Sequence, residues 1–370
     1  MRRQKSKNAQ EEILSYWQLM WRQFKKHRLA IGGGIALIIF YLTALFCEFI
    51  APYDPHHRFL DRQYLSPQSI HFFDKEGKFH FRPFVYGIKA EFNPESWRYT
   101  FVPVKEEKYS LSLFVRGDEY KLWGLFEMDL HLFGVEKGGT LLLLGTDNLM
   151  RDLLSRIIYA SRISLSIGLI GVLISLLLGM IFGGISGLYG GVADSVIQRV
   201  IEVLICIPAI PLWMALSAAL PRNWSPVMIF FGLIIILSLI GWCNLARVVR
   251  GKFISLREED FILAAKTYGA SQWRIIFHHM IPNFMSYILV SVTLAIPAMI
   301  LGETALSFLG IGLHPPIISW GVLLQQAQNF QVVALYPWLL IPGVFVIIAV
   351  LSFNFVGDGL RDAADPYSKR

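Results

Sequence analysis

The sequence contains few charged residues for its length. Only 16% of its 370 residues are charged, whereas 54% are hydrophobic, and the mean hydropathy is +0.49. Soluble domains carry about 25% charged residues, so this composition predicts several membrane spans. We therefore expect an all-α polytopic membrane protein.

Cysteine is scarce, and the sequence offers no set of metal ligands. Cys47, Cys206 and Cys243 all lie in apolar stretches, which predicts small hydrophobic side chains and no extracellular disulfide. His278 and His279 are adjacent, so on a helix they point about 100° apart and do not share a face. We predict no metal site.

No stretch of the sequence is typical of an enzyme. It lacks the GxxxxGK[ST] loop that binds nucleotide phosphates, and its Ser, His and Asp residues show no spacing typical of a nucleophilic site. The formal charge of +7 could indicate nucleic-acid binding, but most basic residues flank apolar runs. Basic residues in such positions follow the positive-inside rule of membrane proteins, which favours membrane insertion over nucleic-acid binding as the explanation of the charge. We predict no catalytic residue, no cofactor in this chain and no nucleic-acid partner.

Six apolar runs are long enough to cross a hydrocarbon core of roughly 30 Å. The first run is too long for the apolar part of a signal peptide and lacks a small-residue cleavage site. The predicted organisation is a cytoplasmic amphipathic segment (1–28), a first span (29–51), an inserted domain (52–143), a core with five further spans (144–356) and a cytoplasmic tail (357–370). The five spans predicted in the core are 163–185, 200–220, 227–245, 285–308 and 338–356. In the N-terminal segment one helical face is apolar and predicts an interfacial helix: Ile13, Tyr16, Trp17, Met20 and Phe24.

The distribution of basic residues predicts the orientation of the chain. Residues 310–337 contain no Lys or Arg, whereas residues 247–283 contain six: Arg247, Arg250, Lys252, Arg257, Lys266 and Arg274. The positive-inside rule therefore places 247–283 and both termini in the cytoplasm, and 52–143 outside.

The polar segment 258–282, between the fourth and fifth spans, has its own amphipathic order. Phe261, Ala265 and Tyr268 recur on one helical face. Gly269 is suited to end that helix in a left-handed conformation, and Ser271 can cap a second helix. One face of the second helix is apolar: Trp273, Ile276, Phe277 and Met280. The pattern predicts helix, turn, helix, although an amphipathic segment lying on the bilayer surface would show the same pattern.

Within this segment, AAKTYGASQWRIIFHHMIP resembles the EAA loop of ABC-importer membrane subunits. It has two alanines, a glycine after three further residues, an apolar stretch and a terminal Ile-Pro, although Leu263 stands where the motif has Glu. In that family the loop is cytoplasmic and docks into a groove on the ATPase subunit. The resemblance implies that residues 247–283, here called the EAA loop, couple the chain to an ATPase. The residues implied are Phe261, Ala264, Ala265, Gly269, Trp273, Ile276, Phe277 and Pro282.

Other stretches resemble permeases of the dipeptide/oligopeptide/nickel ABC-importer family. LGTDNLMRDLLSR, at 144–156, is similar to the family's LGTD-GRD-LSR pattern, with Met150 where that pattern has Gly. Residues 187–199, 302–324 and 357–366 also resemble family patterns. Independently of the resemblance, 144–156 predicts a charged helix along the outer interface, capped by Thr146 or Asp147.

The inserted segment has a different composition from the rest of the chain. It has mixed charge, many aromatic residues and no long apolar run. The stretches 99–104 and 110–115 predict short strands, and 116–118 predicts a turn. We therefore expect an extracytoplasmic β-rich domain between the first two spans. It would either contact a solute-binding protein or merely pack on the outer face.

A few residues within the spans are candidates for the translocation pathway. Glu303 lies two-thirds along the fifth span, and its charge predicts that it faces protein or a water-filled cavity. It would line the pathway or bond to another helix. Pro208, Pro211 and Pro297 would bend spans, to expose carbonyls to a pathway or for packing alone. Glu48 is expected to reach the outer interface.

The resemblance implies a permease subunit of an ATP-driven importer for peptides or peptide-like solutes in a bacterial inner membrane, working by alternating access. The implied partners are a homologous second permease, two ATPase subunits that hold ATP and Mg, an extracytoplasmic solute-binding protein, and membrane lipid. A permease for nickel or another small solute is the alternative. A stand-alone secondary transporter or channel is less compatible, because the six spans show no internal repeat. No acid–base pattern supports a membrane-anchored enzyme.

Overall fold

The computed structural model describes residues 16–94, 98–135, 138–221 and 223–364. Residues 1–15 and 365–370, which include Ile13 and the end of the predicted tail, lie outside the described residues. The N-terminal helices are α1 (Tyr16–Phe24), α2 (Arg28–Leu45) and α3 (Cys47–Ile50). The helices after the sheet are α4 (Leu153–Tyr189), α5 (Gly191–Cys206), α6 (Ala209–Ala218), α7 (Pro226–Leu256), α8 (Asp260–Thr267), α9 (Gln272–Arg274), α10 (Ile281–Asn283), α11 (Met285–Phe308), α12 (Trp320–Leu324), α13 (Phe330–Leu335) and α14 (Ile341–Ala364).

Five helical segments in the described part of the chain are long and apolar enough to cross a membrane. They are α2, α4, α7, α11 and the continuous segment Pro337–Ala364, which contains α14. Helices α5 and α6 together satisfy the same criteria but are bent by 89° at the break between them. The predicted polytopic helical class is thus confirmed, with six spans if the bent pair counts as one.

The prolines predicted to bend spans behave differently from one another. Pro208 lies at the 89° bend, where it forms the N-terminal cap of α6. Pro211 and Pro297 lie inside α6 and α11, which continue through them. A proline in the first turn of a helix removes no intrahelical hydrogen bond, which explains why Pro211 does not interrupt α6.

Several helix boundaries differ from the predicted ones, whereas the predicted fifth span coincides with α11. The segment 144–156 was predicted to be a charged helix along the outer interface that leads into a span, but only its last four residues are helical, and they begin α4, which is 37 residues long. Helix α14 continues to Ala364, so the predicted tail begins as helix. Helix α2 ends at Leu45, and Phe46 separates it from the short α3.

The inserted segment forms an antiparallel sheet with strand order β1-β2-β3-β4, as predicted for a β-rich domain. Its strands are β1 (His71–Phe73), β2 (Phe79–Asn93), β3 (Arg98–Leu122) and β4 (Phe126–Val135). Both predicted short strands belong to the single long strand β3. The turn predicted at 116–118 is wrong, because β3 continues through it with a shift of register. Gly117 lies against the ring of His131, and a Cβ there would be 2.8 Å from His131 Cδ2. Gly117 therefore allows the ring of His131 to approach the backbone of β3, and it does not form a turn.

The helical core is centred on the long helices α4 and α7. Glycines at four-residue intervals on α4 allow their backbones to approach closely. A Cβ on Gly183 would lie 2.5 Å from the carbonyl O of Ala246, and one on Gly187 would lie 2.8 Å from that of Arg250. Helices α2, α11, α12 and α14 complete the main apolar core around the buried Trp320.

Candidate functional site

Residues 247–256 of the EAA loop are the end of α7, and the rest of the loop folds as two helices joined by a sharp turn, as its sequence predicted. Helix α8 is followed by Gly269, whose φ of +76° lies in the left-handed region. Ser271 Oγ then accepts a hydrogen bond from Arg274 N at 3.3 Å and caps the second helix. That helix continues as a π-helix over Ile275–Met280 and ends with α10. Pro282 has no N–H to donate to the preceding turn, which is compatible with the wider helical turn beside it.

The inner side of the EAA loop packs on the rest of the protein. Ile262, Ile275 and Met280 are fully buried and share a cluster with Phe253 and Phe284. Met280 was predicted to share an apolar face with Trp273, and this prediction is wrong because Met280 belongs to the buried side. A π-helix has more residues per turn than an α-helix, so the α-helical spacing misassigned it.

The outer side of the EAA loop presents aromatic rings that no part of the described chain covers. Trp273 is 72% exposed and Phe277 is 51% exposed, and their rings stack with centroids 5.7 Å apart. Tyr268, beside the turn, is 91% exposed. The remaining residues implied by the resemblance lie around them: Phe261, Ala264 and Pro282 are exposed, and Ala265 and Ile276 are half-buried. An apolar groove lies between the second helix and the ends of α4 and α7.

An ion pair that was not predicted from the sequence joins α7, where the EAA loop begins, to α5. Arg250 of α7 donates two hydrogen bonds to Asp194 of α5, from Nε to Oδ1 at 2.6 Å and from Nη2 to Oδ2 at 2.5 Å. The hydroxyl of Ser186, on α4, also donates to Asp194. Three helices therefore meet at one carboxylate.

A cavity of about 370 Å³ lies among α4, α6, α7 and α11. Its polar lining residues include Ser175, Asn244 and Ser291. A larger cleft near the ends of α7, α11 and α14 shares Tyr287 and Ser291 with it, so the two spaces adjoin. Such a chain of spaces is the main candidate for a solute path within this subunit.

Of the predicted pathway residues, Pro208 and Pro297 adjoin this cavity, and neither they nor Glu303 line it. Ala209 and Ala298, which follow Pro208 and Pro297, line it, whereas the two prolines do not. Glu303 is completely buried elsewhere in the core. Its carboxylate accepts hydrogen bonds from three serine hydroxyls: Ser307 at 2.8 Å, Ser319 at 2.6 Å and Ser164 at 3.3 Å.

Buried charges also occur at the other end of the helical core. Asp147 is buried and pairs with two arginines of its own segment, Arg151 at 2.7 Å and Arg156. The predicted cap by Thr146 or Asp147 is therefore wrong. Asp152 caps α4 instead, accepting from Ser155 N at 2.8 Å, and burial raises the pKa of Asp152 to about 6.

Glu48 was expected to reach the outer interface, but the structure buries it. Both of its carboxylate oxygens accept hydrogen bonds from Arg162, each at 2.6 Å. The two residues lie 114 positions apart in the chain. Because Arg162 neutralises the charge of Glu48 inside the protein, the carboxylate does not have to reach water at the interface.

Comparison with known proteins agrees with this architecture. Residues 175–370, more than half of the chain, match the family model described as "Binding-protein-dependent transport system inner membrane component". Residues 15–67 match the model described as "N-terminal TM domain of oligopeptide transport permease C". The first of these matches includes the whole EAA loop and every lining residue of the cavity except Val172.

Curated relatives cover most of the chain. An oligopeptide transport system permease protein OppC of Bacillus subtilis is 40% identical over 60% of this chain and 70% of its own. A dipeptide transport system permease protein DppC of Lactococcus lactis is 33% identical over 95% of this chain and 91% of its own. The DppC protein of Bacillus subtilis is 29% identical over 96% of this chain and 88% of its own. With an EAA loop folded against the core and a family match over more than half of its length, this chain belongs to the family of binding-protein-dependent transport system inner membrane components.

Proposed function

We propose that the chain is the permease subunit through which an ATPase drives the import of peptides or peptide-like solutes. The observation that carries the proposal is the outer side of the EAA loop. Its aromatic rings are held on two helices whose inner sides are fixed in the core, so they form a preformed surface. Exposed apolar patches of this kind mark protein or membrane contacts.

A protein groove suits this surface better than a lipid headgroup region. The stacked rings of Trp273 and Phe277 project from a rigid helix, as anchor residues of a helix-in-groove contact do. The ATPase subunits would hold ATP and Mg, and this chain would supply no catalytic group. A homologous second permease would complete the membrane part.

The same helices offer a route from the EAA loop to the cavity. Movement of the loop would pass to α7, and through the pair of Arg250 and Asp194 to α5. Helices α6, α7 and α11, which line the cavity, would then open it to one side at a time. In this proposal Pro208 and Pro297 shape the wall of the path, and Glu303 acts on it from the neighbouring core.

The orientation follows from the positions of the basic residues. The EAA loop and both termini would face the cytoplasm, and the sheet would lie outside the inner membrane of a bacterium, near a solute-binding protein. Single-cysteine labelling in intact cells tests this. We expect that an impermeant reagent labels Lys75→Cys from outside but labels Lys266→Cys only after lysis; labelling of Lys266→Cys in intact cells would contradict the orientation.

Peptide is the favoured cargo because the three relatives described above are named for oligopeptide and dipeptide transport. The test is uptake by vesicles that contain this chain, the second permease, the ATPases and the binding protein. We expect ATP-dependent uptake of labelled short peptides that unlabelled peptide inhibits. Uptake of nickel without any uptake of peptide would favour the alternative cargo, and uptake without the ATPases would contradict the class.

A further inference from the structure

The hairpin between β3 and β4 ends beside the membrane helix α2. The indole N–H of Trp123, at the tip of the hairpin, donates to the carbonyl O of Leu45 at 2.7 Å. The Trp123 ring also lies 5.6 Å from the ring of Phe46. Leu45 is the last residue of α2, so these contacts place the tip at one end of a membrane span.

The length of α2 sets the depth of this contact. Its 18 residues rise about 27 Å at 1.5 Å each, close to the roughly 30 Å of a hydrocarbon core. The contact with Leu45 O therefore lies where hydrocarbon gives way to headgroups. Leu42 and Leu45 are half-exposed on this part of α2 and need lipid to cover them. The tip of the hairpin therefore extends an apolar surface that already faces the membrane.

The tip itself is apolar and uncovered in the described chain. Leu125 is 76% exposed and Phe126 is 57% exposed, next to the half-exposed Trp123. The nearest charges along the chain, Lys121 and Glu127, pair with each other across the strands at 3.0 Å. Arg162, which also donates to Leu45 O at 3.2 Å, is paired with Glu48. Water would be an unfavourable environment for such a tip.

The turn at the tip has Trp123 at a positive φ, a backbone conformation that disfavours tryptophan. Trp123 and Gly124 both have positive φ, +54° and +74°, and Leu125 N donates to Leu122 O at 3.0 Å. Positive φ at both central residues is typical of a type I′ turn, whose first central position favours Asn, Asp or Gly. A tryptophan there carries a strain of about 1 kcal/mol or more, which indicates that its side chain serves a purpose outside the turn.

We propose that Trp123, Leu125 and Phe126 form a membrane anchor that holds the sheet against the headgroup–hydrocarbon boundary. Trp is the residue type most typical of that boundary, since its ring is apolar and its N–H needs a hydrogen-bond partner. Here Leu45 O is that partner. The anchor depends only on α2 crossing a membrane and not on the cargo of the protein.

Spin-label accessibility tests the anchor in the full chain. The chain, with Cys47, Cys206 and Cys243 replaced, would be reconstituted in vesicles of phosphatidylethanolamine and phosphatidylglycerol and labelled at Leu125→Cys. The matched control is Glu76→Cys, in the turn between β1 and β2. We expect the Leu125 label to collide severalfold more with oxygen, and severalfold less with a water-soluble nickel chelate, than the Glu76 label does.

Two other results would each overturn the proposal. Equal nickel accessibility at both labels would show that the tip lies in water, and protection of the Leu125 label from both agents would show that protein covers it. A label at Phe126→Cys separates anchoring from folding. In the background Trp123→Asn with Leu125→Ser, which suits the type I′ turn better, we expect its nickel accessibility to rise severalfold. An unchanged value would mean that these side chains do not hold the tip in the membrane.

Discussion

Arg250 holds both carboxylate oxygens of Asp194 and thereby joins the start of α5 to the end of α7 that leads into the EAA loop. The hydrogen bonds are 2.6 and 2.5 Å long and parallel, an arrangement that arginine forms and lysine cannot. The pair is partly buried, which protects it from full screening by water.

A double-mutant cycle should show that these two residues stabilise the protein together. We expect Asp194→Asn and Arg250→Gln each to lower the thermal stability of the purified chain, with a coupling of about 1 kcal/mol or more between them. The double variant should therefore lose little more than either single one. Fully additive losses would mean that the two side chains act independently.

Replacement of Gly269 should disturb coupling and leave insertion intact. At a φ of +76° a Val residue is strained by roughly 1–3 kcal/mol, although open space surrounds the site. We expect Gly269→Val to reach the membrane normally but to co-purify poorly with the ATPase, or to uncouple ATP hydrolysis from uptake. Gly251→Val is the matched control, because Gly251 also faces open space but lacks the positive φ. Equal behaviour of the two variants would contradict the role of the turn.

A charge on the exposed rings of the EAA loop should weaken ATPase binding. Phe277→Asp places a carboxylate beside Trp273, on a side that would be buried in the complex. We expect at least a tenfold loss of co-purified ATPase, equivalent to about 1.4 kcal/mol, with no change in the stability of the isolated chain. Phe81→Asp, at a phenylalanine of the sheet that is still more exposed than Phe277, is the control. Normal ATPase binding by Phe277→Asp would mean that the loop lies on the bilayer.

Variants of Glu303 can distinguish a structural role of this residue from a role in transport. Glu303→Gln preserves the shape of the side chain, and the serine hydroxyls around it can rotate to suit an amide. We expect the complex to assemble normally and peptide uptake to change. Glu303→Ala would leave three buried hydroxyls without this acceptor, so we expect it to reduce the yield of folded protein. Loss of assembly in Glu303→Gln would instead assign the carboxylate a purely structural role.

The sheet should lose a stabilising contribution in acid. Hydrogen bonds from His80 and Lys108 hold the pKa of Asp74 well below its usual range. Because the folded pKa is the lower one, this contribution is complete above roughly pH 5 and is lost as the pH falls towards the folded value. We expect amides near the β1–β2 turn to lose protection from exchange below about pH 4 in the native chain. Asp74→Asn should lower their protection severalfold at pH 7 and remove the acid-dependent part, whereas Asp129→Asn should do neither.

Local patterns sufficed for much of the fold. The positive φ of Gly269 was predictable because a helix end of this kind favours glycine, and α11 was predictable because a long apolar run lies between Asn283 and Gly310. The family pattern also identified Met150 as an unusual residue. Its φ is +62°, the region that glycine favours, so this chain accepts strain where the pattern has Gly.

Contacts between distant residues could not be predicted from one sequence. Glu48 and Arg162 each resemble an interfacial charge, and only the packing of α3 on α4 shows that they neutralise each other. Arg156 was predicted to lie on a helix along the outer interface, and its burial was not predicted. Asp147 makes its burial possible, so α4 continues without interruption.

The close packing of α4 on α7 gives this subunit a long, stiff arm. Their glycine contacts bring the two backbones close together, because the carbonyl oxygens of Ala246 and Arg250 lie 2.5 and 2.8 Å from where Cβ atoms on Gly183 and Gly187 would be. Helix α7 is 31 residues long, about 46 Å, so tilting the pair by 5° about one end displaces the other by about 4 Å. Under the proposed function, a small rotation at the EAA loop would therefore be magnified with distance. This amplification requires α4 and α7 to move together. A larger residue in place of Gly183 or Gly187 would alter the stiffness of the pair without directly changing a binding surface.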